Sequence, residues 1–196
     1  MIDKKYTECT RLLTVDDIPK IKEIFELKTS ISKIPSDESK SKVEFNIESE
    51  INNPNHRLIG YFENGELVSF LSQVIASKMP AWHMPMLGTK STHRWNYTLN
   101  GLEFCWANAM DFAEQHGIYR IYWALPKSWS RTQLRTINTS DVWKRYDIYI
   151  ESELQPYEFP FWPEQQVSYG NLPKPYEVVV KMGVLKNEHR KFDIKI

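Results

Sequence analysis

The sequence predicts a single α+β domain, with a central mixed, mostly antiparallel sheet of about six to seven strands flanked by helices. Three observations predict it. Two β-rich runs, Arg57 to Phe62 and Glu66 to Val74, flank Glu63-Asn64-Gly65, and Asn-Gly is the favoured turn of a tight hairpin because both central residues must take positive φ. Leu102, Cys105, Trp106, Ala109, Phe112 and Ala113 recur at helical spacing up to Gly117, and the apolar run Tyr119 to Leu125 follows at once. A helix returning to the sheet through so short a link suggests a parallel crossover. Two further β-rich runs, Ile148 to Leu154 and Tyr176 to Leu185, come last.

The first run, Tyr6 to Leu13, reads as a strand, and Thr14-Val-Asp-Asp17 offers a threonine cap with acidic residues in the first turn of a helix. That helix carries Ile18, Ile21 and Phe25 on one stripe, and Pro19 is tolerated in the first turn, where amides lack internal partners. Thr29 to Lys42 is polar and reads as a loop or a lead-in to the next helix. Val43, Ile47 and Ile51, spaced four apart, mark one face of a second helix stopped by Asn52-Asn53-Pro54. The hairpin follows. Ala81 to Leu87 reads as a further strand whose pairing Pro80 and Pro85 should interrupt, since proline donates no ladder hydrogen bond. Asn100-Gly-Leu-Glu103 resembles a capping box for the best helix of the chain, and Gly117 suits a left-handed cap at its end. Tyr119 to Leu125, apolar almost throughout and ended by Pro126, reads as a strand buried on both faces. A short helix is expected around Asp141 to Tyr146. The segment 155–175, rich in proline and aromatics, interrupts the last two strands as an insertion.

The 196 residues suit one domain spanning 1–196, and 41% hydrophobic residues provide for its core. Lys and Arg, 25 together, balance 25 Asp and Glu, so no global field draws in nucleic acid and such a partner is not expected. No long apolar run suits a membrane span, and Met1 to Thr10 carries charges where a leader needs an apolar stretch, which points to a cytoplasmic protein without a membrane partner. Cys9 and Cys105 are too few for a disulfide framework or a zinc cluster, and no metal dependence is indicated. Nucleophile elbows, Walker loops and zinc-protease motifs are absent from the sequence.

The order strand, two helices, hairpin, long strand, helix, strand, short helix, two strands resembles the GNAT superfamily, the Gcn5-related N-acetyltransferases. Arg11-Leu-Leu-Thr-Val-Asp-Asp-Ile18 is similar to the family's opening strand and helix, Leu58 to Gln73 to its central hairpin, and Phe112-Ala-Glu-Gln-His-Gly117 with Ile118 to Leu125 to the end of its main helix and its fifth strand. The resemblance implies that the fourth and fifth strands splay apart to admit the pantetheine arm of acetyl-CoA, with the pyrophosphate at the start of the following helix. It places Met84, Met86, Leu87 and Ala124 along the arm and Arg94, Asn100 and Gly101 at the phosphates, with acetyl-CoA as co-substrate and a small-molecule or peptide amine as acceptor. Two departures stand out. The family's glycine-bearing phosphate loop is replaced by Trp95-Asn-Tyr-Thr-Leu-Asn100, and Trp143 stands where the family often has its acidic tyrosine, with Tyr146 displaced nearby.

Amine acetylation needs a base for the amine proton and an acid for the departing thiolate. His83 is the base candidate, with Glu63 or Glu66 behind it on the hairpin, and Tyr146 is the acid candidate. Each has an ordinary reading beside it: His83 as a strand-end histidine, Tyr146 as a packed aromatic, Asn100 and Gly101 as plain helix capping. The function expected is transfer of an acetyl group from acetyl-CoA to a primary amine. The alternative is a catalytically degenerate protein that keeps the fold and acts by binding or by self-association into a homodimer through the aromatic segment.

Overall fold

The computed structural model describes residues 8–31, 47–76, 79–84, 87–90, 100–126, 148–154 and 178–185. The chain forms two compact units, Met1–Val74 with Met86–Ala109, and Ile75–Pro85 with Met110–Ile196. Strands and helices are mixed in an α+β fold whose strand pairings are mostly antiparallel. No helix among the described residues is long and apolar enough to cross a membrane.

In the first unit β1 (Thr10–Leu12), β2 (His56–Glu63), β3 (Glu66–Ile75) and β5 (Leu87–Thr89) are joined in antiparallel pairs, β5 lying on β3. The hairpin closes as its sequence requires, with Asn64 at φ 50° and Gly65 at φ 80°, the two positive angles of a type I′ turn. Strand alternation then sorts the side chains. Between Tyr61↔Ser69 and Phe62↔Leu67 the register slips by one residue, so Val68 bulges and Leu67 joins Leu58 and Phe70 in one core. Ile21 and Ile24 of α1 (Ile18–Ile31) and Ile47 of α2 (Ile47–Asn52) complete that core with Leu13. The opposite alternation carries Arg57, Tyr61, Ser69 and Gln73, which meet α3 (Asn100–Gln115).

The sequence differs from the structure at the first element, where Glu8 and Cys9 are helical and only Thr10–Leu12 is extended. α1 also runs on through Ile31, taking in the first residues of the stretch read as a loop. The cap is where it was expected. Asp17 reaches back to accept from the Thr14 backbone N–H at 3.0 Å and takes two hydrogen bonds from the Arg11 guanidinium, at 2.7 and 2.9 Å. Arg11 thereby holds the buried Asp17 carboxyl down to about 2. A depressed carboxyl stabilises the fold above its unfolded value and loses that contribution as pH falls through the folded one, here between about pH 4 and about pH 2. The loss expected is about 1–2 kcal/mol, reduced because Arg11 is half exposed. Acid unfolding of the Asp17→Asn variant should lack this part of the pH dependence, and a profile like that of the parent would contradict it.

In the second unit β4 (Ala81–His83) runs parallel to β6 (Arg120–Pro126), β8 (Val178–Leu185) is antiparallel to β6, and β7 (Ile148–Leu154) is antiparallel to β8. The crossover into β6 ends in a Schellman motif: Gly117 at φ 67° donates to Glu114 C=O and Ile118 to Ala113 C=O, at 3.3 and 2.8 Å. Ile121 and Tyr122 are buried, as the apolar run Tyr119 to Leu125 predicts, and Trp82 and His83 of β4 are buried as well. The helix expected around Asp141 to Tyr146, the segment 155–175 and Val43 lie outside the described residues, as does the Phe25 side chain.

Candidate functional site

The strand read from Ala81 to Leu87 is two strands with different partners. Ala81, Trp82 and His83 pair with Arg120, Ile121 and Tyr122 of β6, and Met84 N–H donates to the Tyr122 carbonyl at 3.0 Å. Among the described residues that ladder stops there. By Leu87 the chain is paired with β3 instead, through Leu71↔Leu87, Phe70↔Gly88 and Ser69↔Thr89. Pro85 falls between the two pieces, where an interruption was expected, and lies outside the described residues.

β6 continues past this point to Pro126, paired with β8 through Trp123↔Lys181, Ala124↔Val180 and Leu125↔Val179. Backbone groups alternate sides along a strand. Since the Tyr122 carbonyl points toward β4, the N–H and C=O of Ala124 point the same way, and those of Trp123 and Leu125 point toward β8. An extended ligand bearing amides could pair at Ala124 as an added strand does.

His83, the base candidate, occupies the last rung of β4 and has 0% of its surface exposed, as has Trp82 before it. A general base must reach the proton it removes. The ring as placed is part of the unit's core. Met84, directly after β4, is also buried, and His83, Met84 and Ala124 of β6 belong to one unit.

The other unit brings together a different set. Leu87 is half-buried on β5. Glu63, at the end of β2, accepts a hydrogen bond of 2.8 Å from the Tyr61 hydroxyl. Gly101 sits in the first turn of α3 directly on Tyr61: a Cβ there would lie 2.3 Å from Tyr61 Cδ1 and 2.9 Å from Ser69 Oγ. Phe104, one turn on, stacks on the same ring at 5.4 Å and 17°. Burial pushes the Tyr61 phenol above its ordinary range, and the Glu63 carboxylate adds to this. Asn100 opens α3. Met86, Arg94 and Tyr146 lie outside the described residues.

Three groups went unnoticed in the sequence. Tyr61 was legible only as one inward residue of a strand, and its contact with Gly101 joins positions forty apart. Arg57 donates to Gln73 Oε1 and to Asn108 Oδ1, the latter at 3.2 Å, while Gln73 donates to the Ala109 carbonyl at 3.0 Å and Asn108 to Thr10 Oγ1 at 3.2 Å. This network fastens α3 to β1, β2 and β3, and burial lowers the Arg57 guanidinium to about 10. Lys90, just after β5, is buried between Glu66 and Glu23. Cys105 is fully buried and its thiol is pushed up by desolvation, which makes it a poor nucleophile. No group of three or more His, Cys, Asp or Glu among the described residues is arranged to hold a metal ion.

One unit has a parallel strand pair joined through a long α-helix, and the other has an antiparallel hairpin sheet with two helices. No family sequence model matches the chain, and no curated protein matches it in sequence. Solved structures do. An acetyltransferase from Streptococcus agalactiae 2603 is similar with a TM-score of 0.62 at 14% identity, covering 90% of this chain and 97% of that one. A spermidine N-acetyltransferase chimera from Vibrio cholerae and hSSAT gives 0.60 at 13%, covering 91% and 95%. The PaiA N-acetyltransferase of Thermoplasma acidophilum, in complex with coenzyme A, gives 0.55 at 15%, covering 72% and 89%. The chain shares its fold with these solved acetyltransferases, and with one of the GNAT family from Streptococcus pneumoniae at 12% identity and a TM-score of 0.56.

Proposed function

We propose that the chain is an N-acetyltransferase that takes an acetyl group from acetyl-CoA to a primary amine of a small molecule or peptide. The observation that carries this reading is that the β4–β6 ladder ends, among the described residues, at Met84 and Tyr122, and that Ala124 presents its amide and carbonyl on the same side of β6 as Tyr122. A pantetheine arm carries two amides in an extended chain, and such a backbone edge fits them. Acetyl-CoA would supply the activated thioester. The chain's part is to hold that arm at Ala124, with the buried Met84 setting where the opening starts. His83 is enclosed in the core of its unit, and Tyr146 lies outside the described residues.

Thermal unfolding with acetyl-CoA tests the reading before any acceptor is known. At a hundred times its dissociation constant the ligand should add about 2.7 kcal/mol. A rise in Tm with acetyl-CoA, absent with acetate at equal concentration, is the expected result, followed by thiol release on a panel of amines. No shift at millimolar acetyl-CoA would overturn the reading and favour a chain that keeps this fold and acts by binding alone, for which the bulky Trp95 to Asn100 segment is the sequence argument.

A further inference from the structure

The sequence holds two Asn-Gly pairs, and the fold places them in opposite surroundings. Asn64-Gly65 is the tip of the β2–β3 hairpin, where both residues are exposed, both take positive φ, and a Cβ added to Gly65 would meet nothing within 4 Å. Neither makes a hydrogen bond among the described residues. Asn100-Gly101 opens α3, and Gly101 is buried there, where an added Cβ would lie 2.3 Å from the Tyr61 ring.

An asparagine followed by glycine carries its own electrophile and nucleophile. The glycine backbone nitrogen attacks the asparagine Cγ and an N–Cγ bond forms. The proton of that amide passes through water to the leaving nitrogen, and the Cγ–Nδ2 bond breaks to release ammonia. Water then opens the cyclic imide at one carbonyl to give aspartate, or at the other to give isoaspartate, whose main chain is longer by a methylene. Glycine is the neighbour least in the way of the attack, since it has no Cβ. Ring closure requires the asparagine backbone to rotate out of its folded angles. An exposed tip with open space around it does so at little cost, and a first helical turn packed on an aromatic ring does not. We propose that Asn64 is a site of spontaneous deamidation, where the tip of the hairpin gains a carboxylate as aspartate or isoaspartate, and that Asn100 is spared by the packing of the helix it opens.

The change falls beside a rung on which other contacts depend. Glu63↔Glu66 is the last pair of the hairpin; Glu63 accepts from the Tyr61 hydroxyl at 2.8 Å, and Glu66 pairs with Lys90. Isoaspartate lengthens a two-residue turn whose geometry matches the twist of its strands, and it sets a new charge between two carboxylates. That rung loosens as a result.

Ageing the full chain in warm, mildly alkaline buffer tests this, read by peptide mass mapping, enzymatic methyl labelling of isoaspartate and residue-resolved amide exchange. In the folded protein the Asn64 peptide should convert about tenfold or more faster than the Asn100 peptide, and in urea the two should convert at similar rates, because only the shared dipeptide then matters. Equal rates in the folded protein, or no isoaspartate at Asn64, overturn the proposal. In the aged protein the Glu63 and Glu66 amides should exchange about tenfold faster than in the fresh one, while those of Arg57 to Ile59 keep their rates. Asn64→Gly, whose Gly-Gly pair suits the same turn, should show no such change on ageing. Conversion at Asn64 with unchanged Glu63 and Glu66 exchange upholds the site and overturns the loosening, and equal loosening in aged Asn64→Gly overturns its assignment to Asn64.

Discussion

Replacing Trp82 by alanine is expected to cost about 3–5 kcal/mol of stability, the largest effect foreseen for a single residue of this chain. The indole is fully buried on β4, directly before His83 and opposite Ile121 in the parallel pair. Removing so large a side chain forfeits its transfer from water and leaves a void that close-packed neighbours fill only in part. Urea unfolding gives the number, with Met79→Ala as a control because that side chain is 38% exposed. A loss below about 1 kcal/mol for Trp82→Ala would mean that β4 is not the core strand described here. The consequence for function is direct, since His83 lies on the same three-residue strand and Met84 follows it at once.

Gly101→Val is the second. Valine would put its Cβ 2.3 Å from the Tyr61 ring, and that ring cannot swing aside easily because Phe104 is stacked on it and its hydroxyl is bonded to Glu63. The helix start must then move off the sheet, at a cost of about 1–3 kcal/mol by the usual scale of overpacking. Gly101 was first read as a residue that lets a phosphate approach the helix start. The structure supplies another reason for it, the close approach of α3 to β2 and β3. Stability must therefore be measured alongside acetyl-CoA affinity. Gly101→Val with the parent's Tm would refute the packing account.

How far the sequence alone reached can be judged from particular elements. The Asn64-Gly65 hairpin, the Gly117 cap and the Thr14 to Asp17 cap are local devices, written in two to four adjacent residues, and all stand where they were read. The parting of the fourth strand was half legible: Pro85 announced an interruption, but only pairing shows that Leu87 to Thr89 passes to β3. Side-chain roles reached furthest beyond the sequence. His83 has the chemistry of a base in any sequence, and its enclosure depends on neighbours far along the chain. Lys90 reads as one of 25 basic residues until Glu23 and Glu66 are folded onto it. The network of Arg57, Gln73, Asn108 and Thr10 likewise joins residues with no shared spacing signal.

The account turns on one backbone position, Ala124 of β6, facing the side on which β4 pairs with β6 as far as Met84. Residue-resolved amide exchange with and without saturating acetyl-CoA reads it directly. The Ala124 amide is predicted to become protected by about tenfold or more on binding, while Trp123 and Leu125, already turned toward β8, change little. Binding that leaves the Ala124 amide exchanging as it does in the free protein would contradict the account.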